Sequence, residues 1–209
     1  MHVFNIMVED KFAYYASQAV YGSGVHHDKL VTAGYDVDEE LSDSRTKTYV
    51  KNGTALVAYK GTDPTNIVDL DADVTIAMGT HRFNPEFKKA VSLAQRAKEK
   101  YGVVHTTGHS LGGTKAIESA NAIGGKATVF NPGTGLFKLD TGDHRTFVNR
   151  MDPISARVRG SNIDYGAGGH SLDNFENRFG DFKPKVSSGV RAQASGVRRG
   201  VGKKRGWRV

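Results

Sequence analysis

The sequence predicts an α/β fold in which a mostly parallel central sheet is flanked by helices. Three observations carry this expectation. Short β-prone runs, "TALVAY", "VVHTT", "KATVFN" and "RTFVNR", follow one another along the chain. Segments of helical periodicity stand between the first three, and strands alternating with helices imply parallel pairing. The length, 209 residues with 38% hydrophobic and 24% charged side chains, suits one domain with a real core.

Residues 9 to 21, "EDKFAYYASQAVY", place Phe12, Ala16, Ala19 and Val20 at helical spacing, and Gly22 stops the helix. Residues 25 to 45 are expected to be loop or short irregular structure. In "KTYVKNGTALVAYKGTD", Asn52-Gly53 favours a two-residue hairpin turn with positive φ, and the run from Thr54 to Tyr59 is apolar enough for a buried strand. "NPEFKKAVSLAQRAKEKYG" is the clearest helix. Asn84 can cap it, Pro85 suits its first position and Gly102 its end, and Phe87, Ala90, Val91, Ala94 and Ala97 form its apolar stripe. "VVHTT" is a short strand, "LGGTKAIESANAI" a helix stopped by Gly124-Gly125, and "KATVFN" and "RTFVNR" are further strands. No internal repeat is visible.

Composition excludes several classes. No run of about 18 apolar residues exists, so no transmembrane segment is expected. The start, "MHVFNIMVEDKF", is too short and too acidic for a signal peptide. The chain has no cysteine, which excludes disulfides, thiol catalysis and cysteine-held metals and suits a reducing compartment. The expected setting is cytoplasmic or viral rather than secreted. The formal charge of +7 is uneven. Residues 183 to 209 hold nine Lys or Arg and no acid, whereas the remainder has two more acids than bases. We therefore expect a folded domain over 1–182 and a basic, disordered tail over 183–209, divided near Pro184.

"TGHSLGG" raises the functional question. Gly108-His109-Ser110-Leu111-Gly112 fits G-x-S-x-G, a weak pattern alone, but it falls between a predicted strand and a predicted helix. That is the setting of a nucleophile elbow in the α/β-hydrolase fold. The turn is tight, so positions two before and two after the serine must lack bulk, and Gly108 and Gly112 meet that need. The following helix aims its free N–H groups at the serine, and the backbone N–H of Leu111 would face a developing oxyanion. The bland alternative is an ordinary glycine-rich turn.

A nucleophilic serine needs a base, and the base an orienting acid. In α/β-hydrolases the chain order is Ser, acid, His. Only His144 and His170 follow Ser110. Asp152, in "RTFVNRMDP", stands just past a strand, and His144 precedes that strand. His170, in "YGAGGHSLDNF", is then the base consistent with this order, unless it is only a solvent-facing loop residue. Asp140, Asp143 and Asp164 remain alternative acids. A second oxyanion donor usually comes from an early strand-to-helix loop, and "VAYKGTD" offers the N–H and hydroxyl of Thr62. Thr62 and Asp63 alternatively serve only as turn residues.

Taken together, "VAYKGTD", "NIVDLDADV", "TGHSLGG", "FVNRMDPIS" and "GHSLDNF" resemble the class 3 lipase family, the fungal triacylglycerol lipases and related α/β-hydrolases. The resemblance spans residues 54 to 177. It implies a compact lipase-like hydrolase with Ser110 as nucleophile, His170 as general base and acid, Asp152 as its orienter, and Thr62 and Leu111 as oxyanion donors. Two departures stand out. Fungal members are secreted, longer and disulfide-bonded, and the interval from Asp152 to His170 is short here, so loops that would shape an acyl pocket are trimmed.

The chemistry expected is ester hydrolysis through an acyl-enzyme, with no cofactor or metal required. The substrate suggested by the resemblance is a lipid ester, glyceride or phospholipid. A small soluble ester is the alternative within the enzyme class. An inert hydrolase fold, used as a binding module with its basic tail as the working part, is the alternative outside it. Residues 74 to 85, "VTIAMGTHRFNP", suit either a lid with an apolar underside or a fixed crossover loop. Two partners fit the tail: an anionic membrane surface, favoured by Trp207, and nucleic acid, favoured by the Arg-Gly spacing.

Overall fold

The protein is described here from a computed structural model, over residues 8–62 and 84–180. The expected lid, apart from its last two residues, and the tail 183–209 lie outside the described residues. In chain order the elements are α1 (Asp10–Ala19), α2 (Gly24–Thr32), β1 (Asp36–Val37), a 3-10 turn (Glu39–Leu41), β2 (Thr46–Lys51), β3 (Thr54–Tyr59), α3 (Pro85–Tyr101), β4 (Val103–Ser110), α4 (Leu111–Ile123), β5 (Lys126–Pro132), β6 (Leu139–Asp140), β7 (Arg145–Asn149), β8 (Val158–Arg159), β9 (Ile163–Gly166), a 3-10 turn (Leu172–Phe175) and α5 (Glu176–Phe179).

Seven strands form the central sheet, in the order β1-β2-β3-β4-β5-β7-β9. The hairpin makes its antiparallel edge, with β1 on β2 and β2 on β3. From β3 onward every pairing is parallel. β6 and β8 form a separate two-stranded parallel pair.

Local chemistry explains most boundaries. Asn52 and Gly53 both take positive φ, 50° and 74°, which closes the hairpin in two residues. The Asn84 side chain accepts the Glu86 N–H at 2.9 Å and so caps α3, which Gly102 ends at φ 74°. Gly124 ends α4 in the left-handed region.

Every side chain of β3 is buried, so the two faces of the sheet hold two cores. Ala55, Val57 and Tyr59 pack with Phe87, Ala90 and Leu93 of α3 and with Ile117 and Ala120 of α4. Leu93, rather than Val91, completes the buried stripe of α3. Leu56 and Ala58 face the opposite way, with Ala13, Tyr14 and Ala16 of α1 and an aromatic cluster of Phe130, Phe147 and Phe175. The Phe130 and Phe147 rings stack at 5.3 Å on neighbouring strands.

Two expectations change. Residues 25 to 45 are not all irregular, because Gly24–Thr32 is a helix. Only His26 and Leu30 of it are buried, one turn apart, too sparse a stripe to mark a helix in the sequence. α2 is held instead by tertiary contacts: the rings of Tyr14 and Tyr15 lie 5.5 Å from His26, whose Nε2 is 3.2 Å from Glu176. The parallel edge strand β9 was also not expected. It is half-exposed and too short for its alternation to register.

Candidate active site

Ser110 closes β4 and opens α4, and the change of direction falls on its own backbone. Its φ is 56° and its ψ −132°. A side chain in that region costs roughly 1–3 kcal/mol unless its surroundings hold it there. The neighbouring glycines allow the approach that does so. A β-carbon on Gly112 would collide with the Tyr59 carbonyl and lie 2.8 Å from the Gly61 nitrogen. One on Gly108 would lie 2.5 Å from the Gly112 carbonyl. The Ser110 carbonyl accepts the Gly133 N–H at 2.9 Å, which ties the turn to the chain beyond β5.

Three residues predicted from sequence meet at this turn. The Ser110 hydroxyl and His170 Nε2 are 2.9 Å apart. His170 Nδ1 is 2.9 Å from Asp152 Oδ2. The other Asp152 oxygen accepts the Ile154 N–H at 2.9 Å, which fixes the plane of the carboxylate. All three side chains are buried, Ser110 at 1% exposure and Asp152 at 3%. With the carboxylate accepting at Nδ1, the imidazole presents a bare Nε2 to the serine hydroxyl, the tautomer a general base requires.

The alternative acids are engaged elsewhere. Asp164 is paired with Arg145 and Arg178, which hold its carboxyl below the usual range. Asp143 pairs with Lys126, and Asp140 accepts the Gly142 N–H at 2.8 Å. His144 is 3.1 Å from Asn121 and takes no part in the cluster.

The Leu111 N–H opens α4, where the first turn of a helix leaves its donors unpaired and its dipole positive. Thr62 follows β3 and is half-buried. Its loop is packed against the elbow, since a β-carbon on Gly61 would lie 2.8 Å from the His109 carbonyl and 3.1 Å from the Gly112 nitrogen. The donors expected from sequence therefore lie on two segments that touch.

Sequence reasoning did not find the groups that hold the histidine loop. Gly169 presents its carbonyl to the side-chain amides of Asn131 at 3.1 Å, Asn149 at 3.0 Å and Asn174 at 3.1 Å. The His170 carbonyl accepts from Asn131 at 3.0 Å and from His109 Nε2 at 2.7 Å. Asn131 in turn accepts the Asn149 N–H at 2.8 Å. The available signal was the recurrence of Asn at the ends of two strand runs, "VFN" and "FVN".

A mostly parallel sheet covered on both faces, with a strained serine at a strand-to-helix turn, is the architecture of an α/β-hydrolase-like domain. The chain belongs to the phospholipase-like family described as Tle-like phospholipase domains, whose model matches residues 24–172. Its activity in general terms is that of a lipid-ester hydrolase. The match includes Thr62, Ser110, Asp152 and His170. Comparison with curated proteins gives no match. Among the described residues, no helix is long and apolar enough to cross a membrane.

Proposed function

We propose that the protein cleaves carboxylic esters of lipids, phospholipids foremost, through an acyl-enzyme on Ser110. The observation that carries this reading is the unbroken chain Asp152–His170–Ser110, with both contacts at 2.9 Å and the serine in a strained elbow. Family membership supports a phospholipid substrate. The resemblance of "TGHSLGG" and "FVNRMDPIS" to class 3 lipases supports the serine mechanism.

The geometry supports the following steps. His170 Nε2 takes the proton from the Ser110 hydroxyl as the oxygen attacks the ester carbonyl. The carbonyl oxygen gains negative charge and is held by the N–H groups of Leu111 and Thr62. Collapse expels the alcohol, which leaves with the proton from His170, and Ser110 carries the acyl group. Water then enters, loses a proton to His170 and releases the fatty acid. Asp152 keeps the imidazole in the required tautomer and stabilises its charged form.

A small soluble ester would use the same steps, and the short interval from Asp152 to His170 favours it as the second reading. A panel of phospholipids, glycerides and short-chain aryl esters, with Ser110→Ala as the control, separates the two. Fatty-acid release from phospholipid by the wild type alone is the expected result. Turnover of aryl esters without any lipid hydrolysis would move the assignment to a carboxylesterase. Failure of Ser110 to react with a fluorophosphonate would remove the serine mechanism and favour an inert fold.

A further inference from the structure

His109 is 4% exposed, lies beside the triad and has no part in the steps above. Its ring centroid is 4.7 Å from that of His170. Strand alternation puts its side chain on the α1 side of the sheet, the side to which Thr107 also points, bonding to Ser17 and the Ala13 carbonyl of α1.

The bonding pattern defines its tautomer. Nε2 lies 2.7 Å from the His170 carbonyl oxygen. A carbonyl can only accept, so Nε2 carries the proton. Burial, reinforced by the neighbouring His170, holds the pKa of His109 down at about 3, so the ring is neutral. Nδ1 is then a bare acceptor 3.4 Å from the Tyr21 hydroxyl, which also lies 3.5 Å from the His109 carbonyl oxygen, so by either acceptor the hydroxyl donates to His109. That hydroxyl oxygen accepts the Gly61 N–H at 3.0 Å. The groups facing His109 are Tyr21 from beyond α1, His170 and Asp152 from their loops, and the carboxylate of Asp173 further off.

A directed chain results. The Gly61 N–H donates to Tyr21, Tyr21 donates to His109, and His109 donates to the His170 backbone. One end is the loop that carries Thr62, and the other is the backbone of the base itself. We propose that His109 is a positioning residue which, with Tyr21, holds the oxyanion loop and the base loop in one frame across the Ser110 hydroxyl. The inference rests on the hydrolase reading of Ser110, Asp152 and His170. Asn131 also holds the His170 carbonyl, but it anchors that loop to β5 and β7 and, among the described residues, makes no hydrogen bond on the oxyanion side. The histidine loop contains Gly168 and Gly169, so it has little stiffness of its own.

The test uses the full chain, a short-chain p-nitrophenyl ester and fluorophosphonate titration to count working sites. His109→Phe keeps the volume and removes the donor. It is expected to lower kcat per titrated site by about 10- to 100-fold, the penalty of a misplacement near 1 Å, with KM changed by less than about twofold. His109→Gln restores an N–H directed at the His170 carbonyl and is expected to recover most of that loss. Tyr21→Phe should lower kcat less, and the double variant with His109→Phe should be no worse than His109→Phe alone, because the two act as one chain. Unchanged kcat per site in His109→Phe, or equal losses in His109→Phe and His109→Gln, would overturn the proposal. If the wild type cleaves no ester, the hydrolase reading itself fails. The frame is then decided by ¹⁵N resonances of the imidazoles: a protonated Nε2 and a bare Nδ1 on His109 are expected, and an Nδ1–H form or a cation overturns it.

Discussion

Gly112 and Gly61 pass so close that a β-carbon on Gly112 would sit 2.8 Å from the Gly61 nitrogen and collide with the Tyr59 carbonyl. The elbow and the end of β3 are thus fitted backbone to backbone, and no rotamer change can relieve an added methyl. Gly112→Ala and Gly108→Ala are expected to destabilise by at least about 1–3 kcal/mol, the usual penalty of overpacking. Gly113→Ala, whose added carbon would meet the Pro132 side chain at 3.1 Å, should be milder. Urea midpoints rank the three, and a Gly112→Ala midpoint equal to that of wild type would contradict the close fit.

The strain at Ser110 can be measured separately from its chemistry. Ser110→Ala and Ser110→Gly both lose the hydroxyl, but only glycine accepts φ 56° with ψ −132° freely. Ser110→Gly should therefore be the more stable of the two inactive variants, by on the order of 1 kcal/mol. Equal melting temperatures would mean that the serine backbone is not strained.

Asp152→Asn keeps the size of the side chain and its acceptance of the Ile154 N–H, but it offers His170 Nδ1 no charge and favours the wrong tautomer. kcat/KM should fall by on the order of 10³–10⁴, with the fold intact by circular dichroism. Asp164→Asn, on a carboxylate paired with Arg145 and Arg178, should change kcat/KM by less than about twofold. The reverse ranking would move the orienting acid to Asp164.

Thr62→Val removes a hydroxyl and leaves the backbone N–H. A loss in kcat of about 10² or less is expected, with KM little changed. A rise in KM alone would make Thr62 a contact to the ground-state substrate rather than to the oxyanion.

Stability should fall as pH drops from 7 to about 4. Burial holds the pKa of His105 down at about 4 and that of His109 at about 3, from 6.5 in the unfolded chain, and it lowers His144 as well. Below 6.5 the unfolded chain binds protons that the folded chain refuses, so the stabilisation present above that pH is lost as pH falls towards the folded values. Each such proton contributes a slope of about 1.4 kcal/mol per pH unit. Urea unfolding at several pH values should give a slope approaching two protons from His105 and His109 between about pH 4.5 and 6, with His144 adding to it, and His109→Gln should remove one of them. A slope unaffected by His109→Gln would mean that His109 titrates normally in the folded protein.

Much of the fold was legible because its signals are local. The Asn52-Gly53 turn, the Asn84 cap and the glycine ends of α3 and α4 act over a few residues, and the sequence states them directly. The same holds for the elbow, whose glycines are required by the turn's own sterics, and for the restriction of the candidate base to a histidine after Ser110. α2 and β9 were illegible because their stability comes from partners distant in the chain. α2 relies on Tyr14, Tyr15 and Glu176, and β9 on the exposed edge of β7.

By itself, then, the sequence determined the α/β class, the place of the sharp turn and a short set of candidate side chains. Which carboxylate stands beside His170 depended on where each loop leaves the sheet. Asp140, Asp143, Asp152 and Asp164 are alike in type, and only the folded chain gives three of them other partners and leaves Asp152 at 2.9 Å from the imidazole. The frame of Tyr21, His109 and Asn131 was likewise a tertiary decision. A hydrogen bond acts over about 3 Å, and nothing in a linear pattern records that Gly61 meets Tyr21, Tyr21 meets His109 and His109 meets His170 at such range.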